Sequence, residues 1–308
     1  MSGEALRSVD LRKIYESRGT APVEALSGVS MEVRRGERVA LLGRNGAGKT
    51  TFLKIASTLL RPTSGSVEVF GVDIARSPEK ARPYIAVVPQ EGKPFFHLSP
   101  REQIYTYLRA RGFSRETAKA RTEDAVERMG LSSCADRLSV TLSGGQRQRT
   151  MVATVIATEA PLLFLDEPTI GMDPFARRDV WASLRSLTQK GSTILLTTHY
   201  LDEAEVLSHR LYIVEQGRVL SSGTADDLKR SVGGTLKVQM PEGAAQVERF
   251  RSFGHCVIDG KALTVILGPD VLGELMDVAV KSQLMATVGP VTLEEAFLRA
   301  VGRSIDAE

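Results

Sequence analysis

The stretch that most restricts what this chain can become is GRNGAGKT, residues 43–50. It follows an apolar run of strand composition, ERVALLG from Glu37 to Gly43, and precedes TTFLKIASTLL, where apolar residues recur at helical spacing. A buried strand must therefore turn into a helix across these few residues. The pattern G-x-x-x-x-G-K-[ST] gives that turn a mechanical meaning, because glycines let the backbone curl until several N–H groups point inward at a phosphate chain. The helix N-terminus adds its partial positive charge. Lys49 would then neutralise the β and γ phosphates, and the Thr50 hydroxyl would ligate magnesium. The spacing predicts a nucleoside triphosphate site built from Gly43, Arg44, Asn45, Gly46, Ala47, Gly48, Lys49, Thr50 and Thr51. A glycine-rich turn that only caps a helix is the plainer alternative.

Two further strings belong with this loop. The strand LLFLDEP, residues 162–168, delivers Asp166 and Glu167 side by side at its C-terminal end, where open α/β sheets bind ligands. Asp166 reads as a magnesium holder and Glu167 as the residue that orients and polarises an attacking water. A capped loop is the alternative meaning of such an acidic pair. Residues 142–149, LSGGQRQR, run into the helix-like TMVATVIAT and set Ser143, Gly144 and Gly145 at a helix start, a second anion-binding nest. Alone, the string reads more simply as a Ser-capped helix with a glycine hinge.

Around these strings the chain changes character three times. From Ala5 to about Val33, LRSVDLRKIY and GVSMEV read as antiparallel strands with the SRGTAP break between them. After the glycine loop, strands alternate with helices: SVEVF, a helix near Pro78 to Arg82, YIAVVPQ, LLFLDEP and STILLTTH, the short β-rich runs of a buried parallel sheet. Between about residues 91 and 141, REQIYTYLRARG and RETAKARTEDAVERMG have helical periodicity, with Ser114 at a cap. These form either an inserted helical subdomain, the reading preferred here, or two ordinary crossover helices. Past Leu228, SVGG makes a linker to TLKVQM, HCVIDG and LTVILG, which alternate with helix-like GAAQVERFRS and DVLGELMDVAVKS and end in TLEEAFLRAVG. The order β-α-β-β-α-β plus a helix describes a small α+β domain. The expected boundaries are 1–230 and 235–308.

Composition excludes more than it assigns. At 308 residues and 42% hydrophobic content the chain can bury real cores. Forty basic against thirty-seven acidic residues leave a formal charge of +3, too even for a nucleic-acid footprint. Cys134 and Cys256 lie far apart with no C-x-x-C pattern, so both read as buried small hydrophobes rather than a disulfide or zinc framework. No apolar run approaches the roughly 18 residues of a membrane span, and MSGEALRSVDLRK carries no signal-peptide core. The expectation is a cytosolic protein that reaches a membrane only through something else.

Taken together, GRNGAGKT, LSGGQRQR, LFLDEP and the later TTHYLDEAE resemble the ATP-binding subunit of ABC (ATP-binding cassette) transporters over about residues 5–228. The resemblance implies a P-loop cassette fold with an antiparallel β subdomain and a helical subdomain, ATP and Mg2+ as cofactors, and hydrolysis. It also implies that two cassettes pair head to tail, each ATP held by the phosphate loop of one chain and the LSGGQ of the other. Ser143, Gly144, Gly145 and Gln146 would then serve the partner's nucleotide. By the same carry-over Gln90 in VVPQ matches the residue that touches magnesium, His199 the histidine that contacts the γ-phosphate, Asp173 in GMDP the partner-facing loop, and Tyr15 the aromatic that stacks on adenine. From the residues alone, Tyr15 is equally a packing aromatic and His199 a polar strand terminator. Two positions depart from the family pattern: Arg44 stands where proline is usual and Met172 where leucine is usual.

The segment GPVTLEEAFLRAVGR is similar to the tail of exporter ATPases in the drug-resistance branch, which pair with ABC-2 permeases. That implies export of a lipophilic compound or polymer through a separate permease, by a homodimer of this chain at the cytoplasmic face. The cluster KPFFHLSP could supply Phe95, Phe96 and Leu98 as an apolar lip for a short permease helix, or could be ordinary packing. The alternative function is a soluble ABC-type ATPase acting on ribosomes or nucleic acid, against which stand a single cassette and no sustained heptads. A degenerate, merely regulatory cassette is disfavoured by the presence of Lys49, Asp166, Glu167 and His199 together.

Overall fold

The computed structural model describes residues 3–16 and 21–301. Most of the expected SRGTAP break, residues 17–20, lies outside them. The chain opens with two long strands, β1 (Glu4–Tyr15) and β2 (Val23–Arg34), followed by β3 (Arg38–Leu42), α1 (Lys49–Ala56), β4 (Ser64–Val69), β5 (Val72–Asp73), α2 (Pro78–Ala81) and β6 (Ile85–Val88). Three helices then come in succession, α3 (Pro100–Ala110), α4 (Arg115–Arg128) and α5 (Gly144–Ile156). After them strands and helices alternate: β7 (Leu162–Asp166), α6 (Pro174–Gln189), β8 (Thr193–Thr198), α7 (Leu201–Leu207), β9 (Arg210–Glu215) and β10 (Arg218–Gly223).

These strands make two sheets. One has the order β2-β1-β4-β5 and is antiparallel, as the early alternation predicted. The other has the order β10-β9-β3-β8-β7-β6, with β9, β3, β8, β7 and β6 joined by parallel ladders. Every residue of β7 and β8 is buried, which is why both read as continuous apolar runs without alternation. Helix α1 lies in the core shared by the two sheets, where Phe52 and Ile55 pack with Leu26 of β2, Leu41 of β3 and Phe164 of β7. Burying a side chain such as Phe52 contributes about 1.5–3 kcal/mol.

The parallel register matters most for function. Leu42 pairs with Thr198, Thr197 with Asp166, and Leu165 with Val88. Four neighbouring strands therefore release their next residues at one edge: the glycine loop, His199, Glu167 and the turn before Gln90. The three-helix region is locally encoded. Ser99 and Glu102 form a reciprocal capping box at α3, Ser114 caps α4 as expected, and α3, α4 and α5 pack on one another.

The chain divides into two compact units at Val219/Leu220, within β10 and earlier than residue 230. The reason lies in α8 (Ala225–Arg230), which packs on the last helix of the second unit. That unit continues with β11 (Leu236–Met240), β12 (His255–Asp259), β13 (Ala262–Leu267), α9 (Leu272–Lys281), β14 (Thr287–Pro290) and α10 (Leu293–Ala300). Its sheet has the order β12-β13-β11-β14, all antiparallel, over a core of Val238, Met240, Phe250, Val265 and Leu275. One expectation changes here: GAAQVERFRS is not an α-helix. Residues Ala244–Arg249 form a 3-10 segment interrupted at Gln246 (φ −115°, ψ 17°), with no side-chain cap. So short a segment gains few backbone bonds, and tertiary packing of Val247 and Phe250 decides its path instead. Cys134 is buried as expected, whereas Cys256 in β12 is only half-buried.

Candidate nucleotide site

The glycine loop is built by close approach. Gly48, just before α1, has φ +102°, and a Cβ there would lie 2.5 Å from the Ala25 carbonyl oxygen and 2.9 Å from Leu26 Cδ2. At Gly43 a Cβ would meet the Val214 carbonyl oxygen at 2.3 Å. Lys49 opens α1 and turns back across the loop, its Nζ donating to the carbonyls of Gly43 (2.7 Å) and Arg44 (3.0 Å). Burial lowers the Lys49 pKa, and the charges of Glu167, Asp166 and Glu215 pull it back. Lys49 is thus held by two backbone carbonyls beside a cleft of about 300 Å³. Residues Asn45 through Thr51 line this cleft together with Tyr15, Gln90 and Glu167. Tyr15 is 41% exposed and its hydroxyl lies 3.4 Å from Thr51 Oγ1, so the ring stands at the mouth rather than in the core. Arg44 is exposed and does not line the cleft.

Below the loop, oxygens converge. Thr50 Oγ1 reaches Asp166 Oδ1 (3.1 Å) and Gln90 Oε1 (3.2 Å), and the Thr197 hydroxyl donates to the same Asp166 oxygen. The second Asp166 oxygen is buried and has no hydrogen-bond partner among the described residues. Burial raises the Asp166 pKa, Thr197 and Thr50 lower it by hydrogen bonding, Glu167 raises it and Lys49 lowers it. Hydroxyl, amide and carboxylate oxygens, with one carboxylate oxygen left over, are the hard donor set that suits Mg2+. Glu167 follows with φ +50°, a left-handed conformation that a non-glycine residue adopts at a cost of about 1–2 kcal/mol. Its N–H is held by the Thr197 carbonyl and hydroxyl, both at 3.1 Å. The kink turns its side chain out of the strand and toward His199, whose Nδ1 is 3.2 Å from Glu167 Oε1.

A third group of candidates does not line this cleft. Ser143 caps α5: its Oγ accepts from Gln146 N (3.2 Å) while Gln146 Oε1 accepts from Ser143 N (3.0 Å). Ser143 and Gly144 are exposed, and Gly145 and Gln146 partly so. Asp173 caps α6, accepting from Phe175 N (2.9 Å) and Ala176 N (3.0 Å), and hydrogen bonding from Ala176 leads the causes that lower its pKa. The chain thus carries one nest with a lysine and a metal-type oxygen cluster, and a second, solvent-facing nest with neither. Residues 26–170 match the family model of the ABC transporter. Over 315 residues the chain is 35% identical to the daunorubicin/doxorubicin resistance ATP-binding protein DrrA of Streptomyces peucetius, covering 98% of this chain and 94% of the relative. The chain is an ATP-binding protein of the ABC transporter family.

It is also 35% identical over 305 residues to the Nod factor export ATP-binding protein I of Burkholderia orbicola (strain AU 1054), covering 96% of this chain and 98% of that one. Among solved structures, the ATP-binding subunit of an ABC transporter superposes with a TM-score of 0.66 at 32% identity, covering 74% of this chain and 93% of that chain. A dimeric cassette bound to ADP and Pi gives 0.66 at 25% identity, covering 71% and 98%. This ABC protein is accordingly an ATPase with the cassette fold and an added C-terminal sheet domain. Among its described residues no helix is long and apolar enough to cross a membrane. Of the two departures, Met172 is 5% exposed and simply packs.

Sequence reasoning missed three side chains at the ABC site. Thr197 binds both Asp166 and the Glu167 amide. Trp181 donates its indole N–H to Glu203 (3.2 Å). Glu203 is 1% exposed and also accepts from Thr169 Oγ1 (2.8 Å). The acidic run in TTHYLDEAE gave no sign which carboxylate would turn inward.

Proposed function

We propose that this chain is the motor subunit of an exporter, hydrolysing ATP at a site shared by two copies and driving a separate ABC-2 type permease at the cytoplasmic face of the membrane. The observation that carries the reading is the convergence of Lys49, Thr50, Asp166, Glu167 and His199 at one edge of the parallel sheet. In this reading the loop from Gly43 to Thr51 cradles the phosphates, Lys49 neutralises the β and γ phosphates, and Tyr15 stacks on adenine. Thr50, Gln90 and Asp166 would hold Mg2+, which would supply charge neutralisation of the phosphates. Glu167 aligns a water against the γ-phosphorus and takes up its proton as the new P–O bond forms and the bridging P–O bond breaks, yielding ADP and inorganic phosphate. His199 donates to a γ-phosphate oxygen and helps absorb the developing charge. Ser143, Gly144, Gly145 and Gln146 of a second copy close over the same nucleotide, and Asp173 lies at that seam.

The surroundings support a membrane partner. A groove of about 390 Å³ is lined by Phe95, Leu98, Tyr107, Met151 and Val155, and Phe95 is 72% exposed. It fits the apolar face of a short helix of the permease. The roles named for the relatives, drug resistance and Nod factor export, favour a lipophilic or polymeric cargo. The experiment is Glu167→Gln. Nucleotide affinity should stay within about threefold, turnover should fall about a hundredfold or more, and a dimer should accumulate with MgATP on size exclusion. Adding Ser143→Arg should abolish that dimer. Parental turnover in Glu167→Gln, or a trapped dimer that tolerates Ser143→Arg, refutes the shared-site motor.

A further inference from the structure

One buried carboxylate near the site has no part in the hydrolytic reading. Glu203 stands on α7, four residues after His199, and is 1% exposed. Oε1 accepts from Thr169 Oγ1 (2.8 Å) and Trp181 Nε1 (3.2 Å), whereas Oε2 is buried with no hydrogen-bond partner among the described residues. Burial raises its pKa; the Thr198 and Thr169 hydroxyls, the Trp181 indole and the Arg177 charge act against that rise. Placing a carboxyl group so deep is unfavourable, and an apolar side chain of similar volume would fill the space without that penalty.

The two donors come from the segments that carry the reacting groups. Thr169 lies in the turn directly after Glu167, a turn closed by Ile170 N to Glu167 O (3.2 Å) and Met172 N to Thr169 O (3.2 Å). Trp181 lies on α6, the helix that Asp173 caps. A second clasp joins α6 to the start of α7, since Arg177 of α6 sits 4.3 Å over the ring of Tyr200, which in turn lies 4.1 Å from the His199 ring. The His199 side chain is 33% exposed and meets Glu167 Oε1 on its inner side. Its position therefore depends on how the start of α7 is fastened.

We propose that Glu203 is a positioning residue for ATP hydrolysis: it fastens the helix that follows His199 to the turn after Glu167 and to the helix behind Asp173, so that the histidine and the base keep their register. A displacement of the Asp173 turn is thereby passed along α6 through Trp181 to His199. The proposal rests on the reading that Glu167 and His199 act on the γ-phosphate.

The test is ATPase kinetics on the full chain, by steady state and single turnover, with nucleotide affinity measured in parallel using a fluorescent ATP analogue. Glu203→Ala should lower kcat about tenfold or more while KM and affinity stay within about twofold. Glu203→Gln keeps the Oε1 acceptor for both donors and should recover kcat to within about threefold of the parent. In a His199→Ala background, Glu203→Ala should add less than about a twofold further loss, because its effect runs through the histidine. Thr169→Val and Trp181→Phe each remove one donor with little change of shape, and each should lower kcat severalfold at constant KM. These two carry the test if Glu203→Ala does not fold. Parental kcat in Glu203→Ala or in both donor variants, equal changes in KM and kcat, no recovery in Glu203→Gln, or full additivity with His199→Ala overturns the proposal. If His199→Ala alone keeps parental turnover, the underlying reading has failed; if His199→Ala loses turnover and Glu203→Ala keeps the parental kcat, only the positioning role has.

Discussion

At the scale of single residues, the site is a set of charges held apart by small geometric devices. Asp166 and Glu167 are neighbours in sequence, yet the first stays in the strand among hydroxyls while the left-handed turn at the second throws its carboxylate toward His199. One strand end thus sets two carboxylates in different surroundings. The phosphate loop relies just as heavily on the lack of a side chain. Gly48→Ala would force a Cβ within 2.5 Å of a backbone oxygen at φ +102°. Backbone has no rotamer to yield, so the loop must shift away from its strand, at a cost of about 1–3 kcal/mol. ATP affinity should drop about tenfold or more by fluorescent-nucleotide titration, and the thermal midpoint should fall with it.

At the scale of elements, helix starts were legible because caps are local. Ser114 needs only its own turn to bond Thr117 N (3.1 Å), and Ser143 does the same at α5. The same locality explains α10, where Thr292 and Glu295 form a capping box. Glu295 also pairs with Lys237 of β11 at 2.6 Å, both side chains being largely buried. Burial pushes the Glu295 carboxyl up, but Lys237 and Thr292 together outweigh it and hold its pKa below 4.5. The folded state therefore binds fewer protons than the unfolded one in this range. The stabilisation is present above the unfolded value and is lost as pH falls through the folded one. Glu295→Gln should destabilise the C-terminal unit at pH 7 by about 2 kcal/mol, seen as faster amide exchange in β11 and α10. The gap to the parent should close as pH drops below about 4.

At the scale of the whole molecule, one helix of the cassette links two surfaces. Helix α5 begins at the Ser143 nest and passes along the apolar groove with Met151 and Val155. The groove rim is pinned by Gln103, which is 5% exposed and accepts from Phe95 N (2.8 Å). Replacing Phe95 by Asp sets a charge where an apolar helix face would dock, and co-purification with the permease from detergent should fall about tenfold or more; unchanged recovery would place the membrane partner elsewhere. Much of this architecture was open to sequence reasoning. The glycine loop, the acidic strand end and LSGGQ are contiguous strings whose backbone chemistry is local, so their positions on strand ends and helix starts could be read directly. The 3-10 segment at Ala244–Arg249 could not, because a helix so short is decided by what it packs against. Nor could Glu203, Trp181 and Thr197, whose roles depend on which face of α7, α6 and β8 turns inward. By itself the sequence determined the kind of site, since phosphate cradling and helix capping arise within a few residues. Only the tertiary structure decided the geometry among its parts, since parallel register brings Lys49, Asp166 and His199 together from positions far apart in the chain.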